Sequence, residues 1–194
     1  MPPNTDEGTG SWSPPLPADC QGTRHLIIAS LNQALRGSQL RSISQADKYC
    51  FRSARGAAKS GTFRAFLSSN DQDVRSIVSR TQQNLPICNA KGKLVFRNFK
   101  ELLNHSGKYH KEAKITSFRG RDLESFPVSK IWHGSTRRGV RESAGYCDSW
   151  RHSNNFNFGR ISFVGDHELL KERSQRCDEK ALMLCIKIKY SKNK

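Results

Sequence analysis

Six cysteines, one histidine–serine pair, one Asn-x-Ser triplet and an excess of arginines are the residues of this 194-residue chain that could do chemistry. His133 and Ser135, in Trp-His-Gly-Ser, are a base and a hydroxyl, but no carboxylate stands close in sequence to orient the imidazole. There is no Gly-x-Ser-x-Gly elbow to present a nucleophile, and no glycine-rich loop of the P-loop type to cradle a phosphate. The chain is therefore not expected to be an enzyme, and Trp132 and His133 are read as packing residues.

The cysteines are Cys20, Cys50, Cys88, Cys147, Cys177 and Cys185. None forms Cys-x-x-Cys, and no His-x3–5-His follows a close pair, so a zinc finger is poorly supported. An even number spread widely along a chain favours structural disulfides and an oxidising compartment. Spacing alone leaves all 15 connectivities of six cysteines open. Asn104-His-Ser106 is an N-glycosylation sequon in a polar stretch.

Charge is the strongest bulk signal. Lys and Arg number 33 against 17 acids, a net +16. Asp6, Glu7 and Asp19 are the only charges in the first 20 residues, so the remainder carries more than the whole. Such an excess points to a polyanionic partner: nucleic acid, anionic membrane or sulfated glycan. Through the middle of the chain the cations are mostly arginine, whose planar fork suits bidentate contact with sulfate or phosphate. Arg137-Arg138-x-x-Arg141 is the densest local group.

Residues that could act must be held by a core, and 35% apolar content allows one at this length. No apolar run reaches the roughly 18 residues of a membrane span. The N-terminus lacks the basic-then-apolar leader pattern, so a secreted form is expected to be an internal piece of a longer precursor. Residues 1–22 hold five of the seven prolines with Gly, Ser and Thr between, and read as a hinge or linker with Trp12 exposed; residues 23–194 form the domain. Arg24 to Leu31 predicts a central strand. A helix is expected from Asp47 to Lys59 with Cys50, Phe51, Ala54 and Ala58 on one face. Gly61 to Ser69 alternates as a strand, with Phe63, Ala65 and Leu67 on one side. Asp71 to Thr81 reads as a short surface helix through Val74, Ile77 and Val78.

Further on, Leu85 to Cys88 and Lys93 to Phe96 predict short strands, and Asn98 caps a helix over Phe99–Leu103. Residues 104–113 are expected to be mobile, Ile115–Phe118 and Ser129–Gly134 extended, and 152–160 a polar loop. Gly165–Arg176 is a charged stretch before the closing strand, Ala181 to Tyr190. Its alternation predicts one buried face, with Lys187 and Lys189 toward solvent. Strands outnumber helices in mixed order, so the class is α+β.

Several of these stretches resemble one family, endostatin, the C-terminal domain of collagen types XV and XVIII. The most specific is Gly61-Thr-Phe-Arg-Ala-Phe-Leu-Ser-Ser69. It is joined by Ile77-Val78, Pro86-Ile87, Ile131-Trp-His-Gly-Ser135, Glu142-Ser143, Tyr146-Cys-Asp-Ser-Trp150 and the Cys-x7-Cys of Cys177 and Cys185. The likeness runs from about Arg24 to Tyr190. It implies a compact α+β fold related to C-type lectins, a mixed twisted sheet with a few short helices, and nested disulfides Cys50–Cys185 and Cys147–Cys177. The collagen setting also accounts for the missing leader and makes residues 1–22 the protease-sensitive hinge.

The resemblance further implies a secreted, extracellular-matrix module binding heparin or heparan sulfate and cell-surface receptors such as integrins. Upstream it would join a collagen trimer, and proteolysis would release it to modulate adhesion, migration or angiogenesis. Of the family's arginine cluster, Arg41 and Arg151 are matched while a third position is Ser44. In a second, paired site Arg80 is matched beside Ser79, and a further position is Asn70. The glycan site is therefore expected to differ and to draw on Arg64, Arg137, Arg138 and the C-terminal lysines.

The family's zinc site is matched only at His25. Its aspartate position is Gly92 and no histidine precedes His25, so no metal and no other cofactor is expected. Cys20 and Cys88 stand in the two regions that metal joins, and a third bridge between them is expected in its place. Calcium-dependent lectin activity is not expected, because no Glu-Pro-Asn or similar carboxylate cluster occurs. The alternative reading, a basic nucleic-acid-binding protein, rests on charge alone; membrane insertion is not expected.

Overall fold

In the computed structural model residues 11–151 and 156–189 are described; the expectations placed on residues 1–10, 152–155 and 190–194, and on the side chain of Lys189, lie outside them. The strands are β1 (Leu26–Ser30), β2 (Leu35–Arg36), β3 (Thr62–Ala65), β4 (Ile87–Cys88), β5 (Leu94–Phe96), β6 (Lys130–Trp132), β7 (Phe158–Phe163), β8 (Arg173–Arg176) and β9 (Lys180–Lys189). They form one mixed sheet in the order β5-β4-β1-β9-β6-β7-β8, with β2 and β3 also pairing with β9. The β1–β4 and β6–β9 pairs are parallel and the others antiparallel. The helices are α1 (Ile43–Gly56) and α2 (Phe99–Asn104), with short 3-10 turns between strands. This is an α+β, disulfide-stapled fold.

β9 is the axis, and both its faces are covered. Leu182, Leu184 and Ile186 join one apolar cluster with Leu26, Ile28, Phe66, Phe96, Phe99 and Leu102. Ala181, Met183 and Cys185 join another with Cys50, Phe63, Ala65, Leu67, Trp132 and Trp150. The expectation of a solvent-facing Lys187 is overturned, because that side chain is only 5% exposed. Burial, and then the nearby charge of Lys59, hold its pKa below the usual lysine value.

α1 begins earlier than Asp47. Ser42 is the N-cap and accepts from the Gln45 N–H at 3.1 Å. Asp47 lies inside the helix, where its carboxylate accepts from the Ala65 N–H at 2.8 Å and Arg64 Nε at 3.3 Å, tying α1 to β3. The buried stripe is Ala46, Cys50 and Ala54, spaced four apart. Phe51 is off that stripe and exposed, and Ala58 lies beyond the helix end with φ +54°.

Between Asp71 and Thr81 there is no α-helix but two 3-10 turns, Val74–Ser76 and Arg80–Gln82. The donors a helix would use are taken elsewhere: Val74 N–H by Ser68 Oγ at 2.9 Å, Arg75 N–H by the Gly139 carbonyl at 2.9 Å. Val74, Ile77 and Val78 are buried all the same. Residues 104–113 are well tied down: Tyr109 is buried, its N–H donates to the His167 carbonyl at 3.0 Å, and its hydroxyl to that of Val164 at 3.1 Å. The stretch Ile115–Phe118 makes isolated bridges, Ser30 with Ser117 and Thr116 with Asp122, rather than a strand. β7 starts within the expected 152–160 loop, and β8 lies within the charged stretch.

From Trp12 onward the N-terminal segment packs against the domain. Trp12 stacks on His105 with ring centres 3.6 Å apart, and Arg97 donates to the Ser13 carbonyl at 3.0 Å. Leu94 N–H donates to Ala18 O and Cys20 N–H to Gly92 O, both at 2.8 Å. Pro14, Pro15 and Pro17 preset the extended backbone of such an edge segment, which lowers the entropy lost on docking. Trp12 is accordingly partly buried rather than exposed.

Three disulfides close the structure: Cys20–Cys88, Cys50–Cys185 and Cys147–Cys177. They enclose 68, 135 and 30 residues, and loop-closure entropy makes them worth about 3.5–5 kcal/mol each, least for the shortest loop. No cysteine is free.

Candidate polyanion-binding surface

The arginines fall into two groups, those spent on internal contacts and those left open. Arg64 belongs to the first: it pairs with Asp47 at 3.3 Å and donates to Gln72 Oε1 at 2.8 Å. So do Arg97 with Glu101, Arg141 with Asp73, Arg173 with Asp166, and Arg176 with Asp178 and Glu179. Arg64, a candidate from the sequence, is held by these contacts between α1 and β3.

Arg41 and Arg151 are different. Arg41 follows the 3-10 turn Gly37–Leu40, and Arg151 follows the turn Cys147–Trp150. The second turn is left-handed, with φ between 49° and 64° at all four residues. Such a backbone is costly for L-residues, and here it is held by several anchors. Cys147 is bonded to Cys177, Trp150 Nε1 donates to Ser68 O at 2.9 Å, and Ser149 Oγ donates to Asn70 Oδ1 at 2.5 Å. The two turns pack on each other, and Gly37 N–H donates to the Cys177 carbonyl at 3.0 Å. Arg41 and Arg151 thus leave adjoining turns, both exposed, and neither makes an ion pair among the described residues.

Ser44 is exposed on the first turns of α1 and adds no charge. Arg80 and Ser79 sit on the other 3-10 turn, both exposed. Asn70 is committed twice, to Ser149 through its amide and to Arg141 through its carbonyl. The trio Arg137, Arg138 and Arg141 is split by the structure. Arg141 turns inward to Asp73, Arg137 N–H donates to Glu172 Oε1 at 3.0 Å with its side chain outward, and Arg138 is exposed beside Arg75. The pairing of Arg75 with Arg138 has no linear signal, because a long-range turn contact brings them together.

His133 and Ser135 are not arranged as base and nucleophile. The imidazole is fully buried; Nε2 meets the Lys171 carbonyl at 3.0 Å and Nδ1 accepts from the Ser135 N–H at 3.0 Å. Burial lowers its pKa to about 4, so it is neutral at pH 7. Ser135 Oγ donates to the Thr136 and Val140 carbonyls.

The residues at the family's zinc position do not fit that metal. His25 Nδ1 lies 2.8 Å from the Thr23 carbonyl, and Gly92 offers no side chain. Among the described residues no three His, Cys, Asp or Glu converge as a metal site. The Cys20–Cys88 bond and the Cys20 N–H to Gly92 O contact join the two regions there. No helix among the described residues is long and apolar enough to cross a membrane.

Comparison with known proteins agrees with this architecture. The family model described as "Collagenase NC10 and Endostatin" matches residues 25–191. The human collagen alpha-1(XVIII) chain is 38% identical over 181 residues, which is 90% of this chain and 10% of that one. The chain thus spans about a tenth of the length of that curated relative. With residues 25–191 matched by the family model and 90% of the chain aligned at 38% identity, this chain belongs to the endostatin family.

Proposed function

We propose that the domain is a non-catalytic module of the extracellular matrix that binds heparin or heparan sulfate. Kinship with a collagen chain supports the matrix setting, and three disulfides suit an oxidising, extracellular compartment. The observation that carries the glycan reading is the pair Arg41 and Arg151. They are exposed, without acidic partners among the described residues, and set on two turns that pack together under a net charge of +16. Arg80, Arg137 and Arg138 extend the cationic surface. Guanidinium forks on a rigid scaffold suit sulfate groups repeated along a chain. Binding of cell-surface receptors such as integrins, attachment to a collagen trimer upstream, proteolytic release and effects on adhesion, migration or angiogenesis rest on family kinship. Binding of nucleic acid would use the same charge, but the bridges favour the extracellular partner.

The test is retention on immobilised heparin across a salt gradient, for the wild-type chain and for Arg41→Ala/Arg151→Ala. The wild type is expected to elute well above physiological salt and the double variant earlier, with a shallower dependence of log K on log salt. Elution of the wild type near physiological salt, or unchanged elution of the variant, overturns the reading.

A further inference from the structure

A hollow of about 360 Å³ is lined by Arg75, Leu103, Asn104 and Arg138. Three elements make it. The turn between Ser135 and Arg141 brings Arg138; the 3-10 turn Val74–Ser76 brings Arg75; the last turn of α2 brings Leu103 and Asn104. Gly139 is where they meet. It has φ +76°, and a Cβ there would stand 2.9 Å from Leu103 Cδ2 and 3.1 Å from the Arg75 nitrogen. That close approach lets the Arg75 N–H donate to Gly139 O at 2.9 Å. Asp73 pins the far side of the turn through the Arg141 N–H and Nε. Arg138, one residue before the contact, is therefore held beside Arg75. Both side chains are exposed, and neither makes an ion pair among the described residues.

Two cations on one hollow, with no carboxylate lining it, favour an anion there. The fourth lining residue is the sequon asparagine. Asn104 is the exposed last residue of α2. Beyond it His105 stacks on Trp12, and Ser106 and Gly107 take positive φ, so the chain turns away from the asparagine amide. A sugar linked to that amide would start in the space an anion would fill.

We propose that Arg75 and Arg138 form a subsite for a sulfate group of a sulfated glycan, and that N-glycosylation of Asn104 closes it. The proposal rests on the heparin-binding reading above and adds a regulated position to it. Modification at one residue would switch part of the cationic surface without altering Arg41 or Arg151.

The experiment uses the full chain secreted from glycosylating mammalian cells, with site occupancy at Asn104 read by mass spectrometry and retention read on heparin. Asn104→Gln serves as the unglycosylated form, because enzymatic removal of the glycan would leave an aspartate in the hollow. Arg75→Ala/Arg138→Ala is made in both backgrounds, and Arg138→Glu alone gives a second variant that leaves Arg75 in place. Asn104→Gln is expected to elute at higher salt than the glycosylated chain. In that background the double alanine variant is expected to lower the slope of log K against log salt by about 2, while the glycosylated chain is unmoved by it. An unoccupied Asn104 in the secreted wild type, equal elution of the two backgrounds, or equal arginine effects in both would overturn the subsite. Loss of retention in every form would instead overturn the heparin reading itself.

Discussion

Arg141 donates twice to one oxygen: its backbone N–H at 2.8 Å and its Nε at 3.0 Å both meet Oδ1 of Asp73. Burial alone would raise the carboxyl pKa, but these two donors, with the charges of Arg141 and Arg75, outweigh it and hold the pKa below the usual aspartate value. A depressed carboxylate stabilises the fold above its unfolded pKa, and the contribution disappears as pH falls through the lower folded value. Asp73→Asn is expected to cost about 1–2 kcal/mol at pH 7, where charge-assisted hydrogen bonds are lost at a partly exposed site. Urea denaturation at pH 7 and pH 3 measures it, and the difference between variant and wild type should shrink at the lower pH.

His133 sets a second pH response with a different window. Its folded pKa of about 4 lies below the ordinary 6.5, so the unfolded chain takes up the proton first. Stability from this residue is full above pH 6.5 and is lost as pH falls toward 4. The slope is about 1.4 kcal/mol per pH unit inside the window. A His133→Asn variant has no such group but shares every other titrating residue. Chemical denaturation at pH 7.0, 6.0 and 5.0 should therefore show the wild type converging on the variant as the solution is acidified. Parallel curves would mean that folding does not depress the imidazole pKa.

The N-terminal segment supplies a third prediction. Cys20→Ser/Cys88→Ser opens a 68-residue loop, for an expected loss of about 4 kcal/mol. The stack of Trp12 on His105, the Arg97 contact to Ser13 and the Leu94 N–H to Ala18 O hydrogen bond would then hold residues 11–19 without a covalent tie. Hydrogen exchange of the Leu94 and Val95 amides in β5 should rise more in the double serine variant than that of β9. A Trp12→Ala variant with the bridge intact should raise protease sensitivity only N-terminal to Cys20. Uniform loss of protection across the sheet in either variant would contradict this local role.

The family, the fold class and the packed Trp132–His133 were legible because each depends on short, ordered patterns. The two faces of β9 were not. Alternation in Leu182, Leu184 and Ile186 announces one apolar face, but Met183, Cys185 and Lys187 read equally as an outer face. Only the second cluster, built with α1 and the turn at Trp150, buries Met183 and Cys185. β7 was hidden because Arg160 and the exposed Phe158 and Phe163 break its apolar pattern. For α1, Asp47 looked like the helix start because aspartate is common there; its carboxylate instead serves a strand eighteen residues later. Among the arginines, number was visible and engagement was not. Asp47 and Asp73 neutralise Arg64 and Arg141 across long sequence gaps, while Arg41, Arg75, Arg80, Arg137, Arg138 and Arg151 are among those left open.

The Cys20–Cys88 bond also decides how the domain bears tension. A pull applied at residue 11 does not unzip β1 from its end, because the covalent link carries it past residues 21–25 and into β4 at Cys88. From there it spreads into β5 through an antiparallel pair and into β1 through a parallel one, both short. The load thus enters the sheet at β4, beside the edge strand β5 and two strands away from β9. The basic surface around Arg41 and Arg151 is therefore expected to keep its geometry under such a pull.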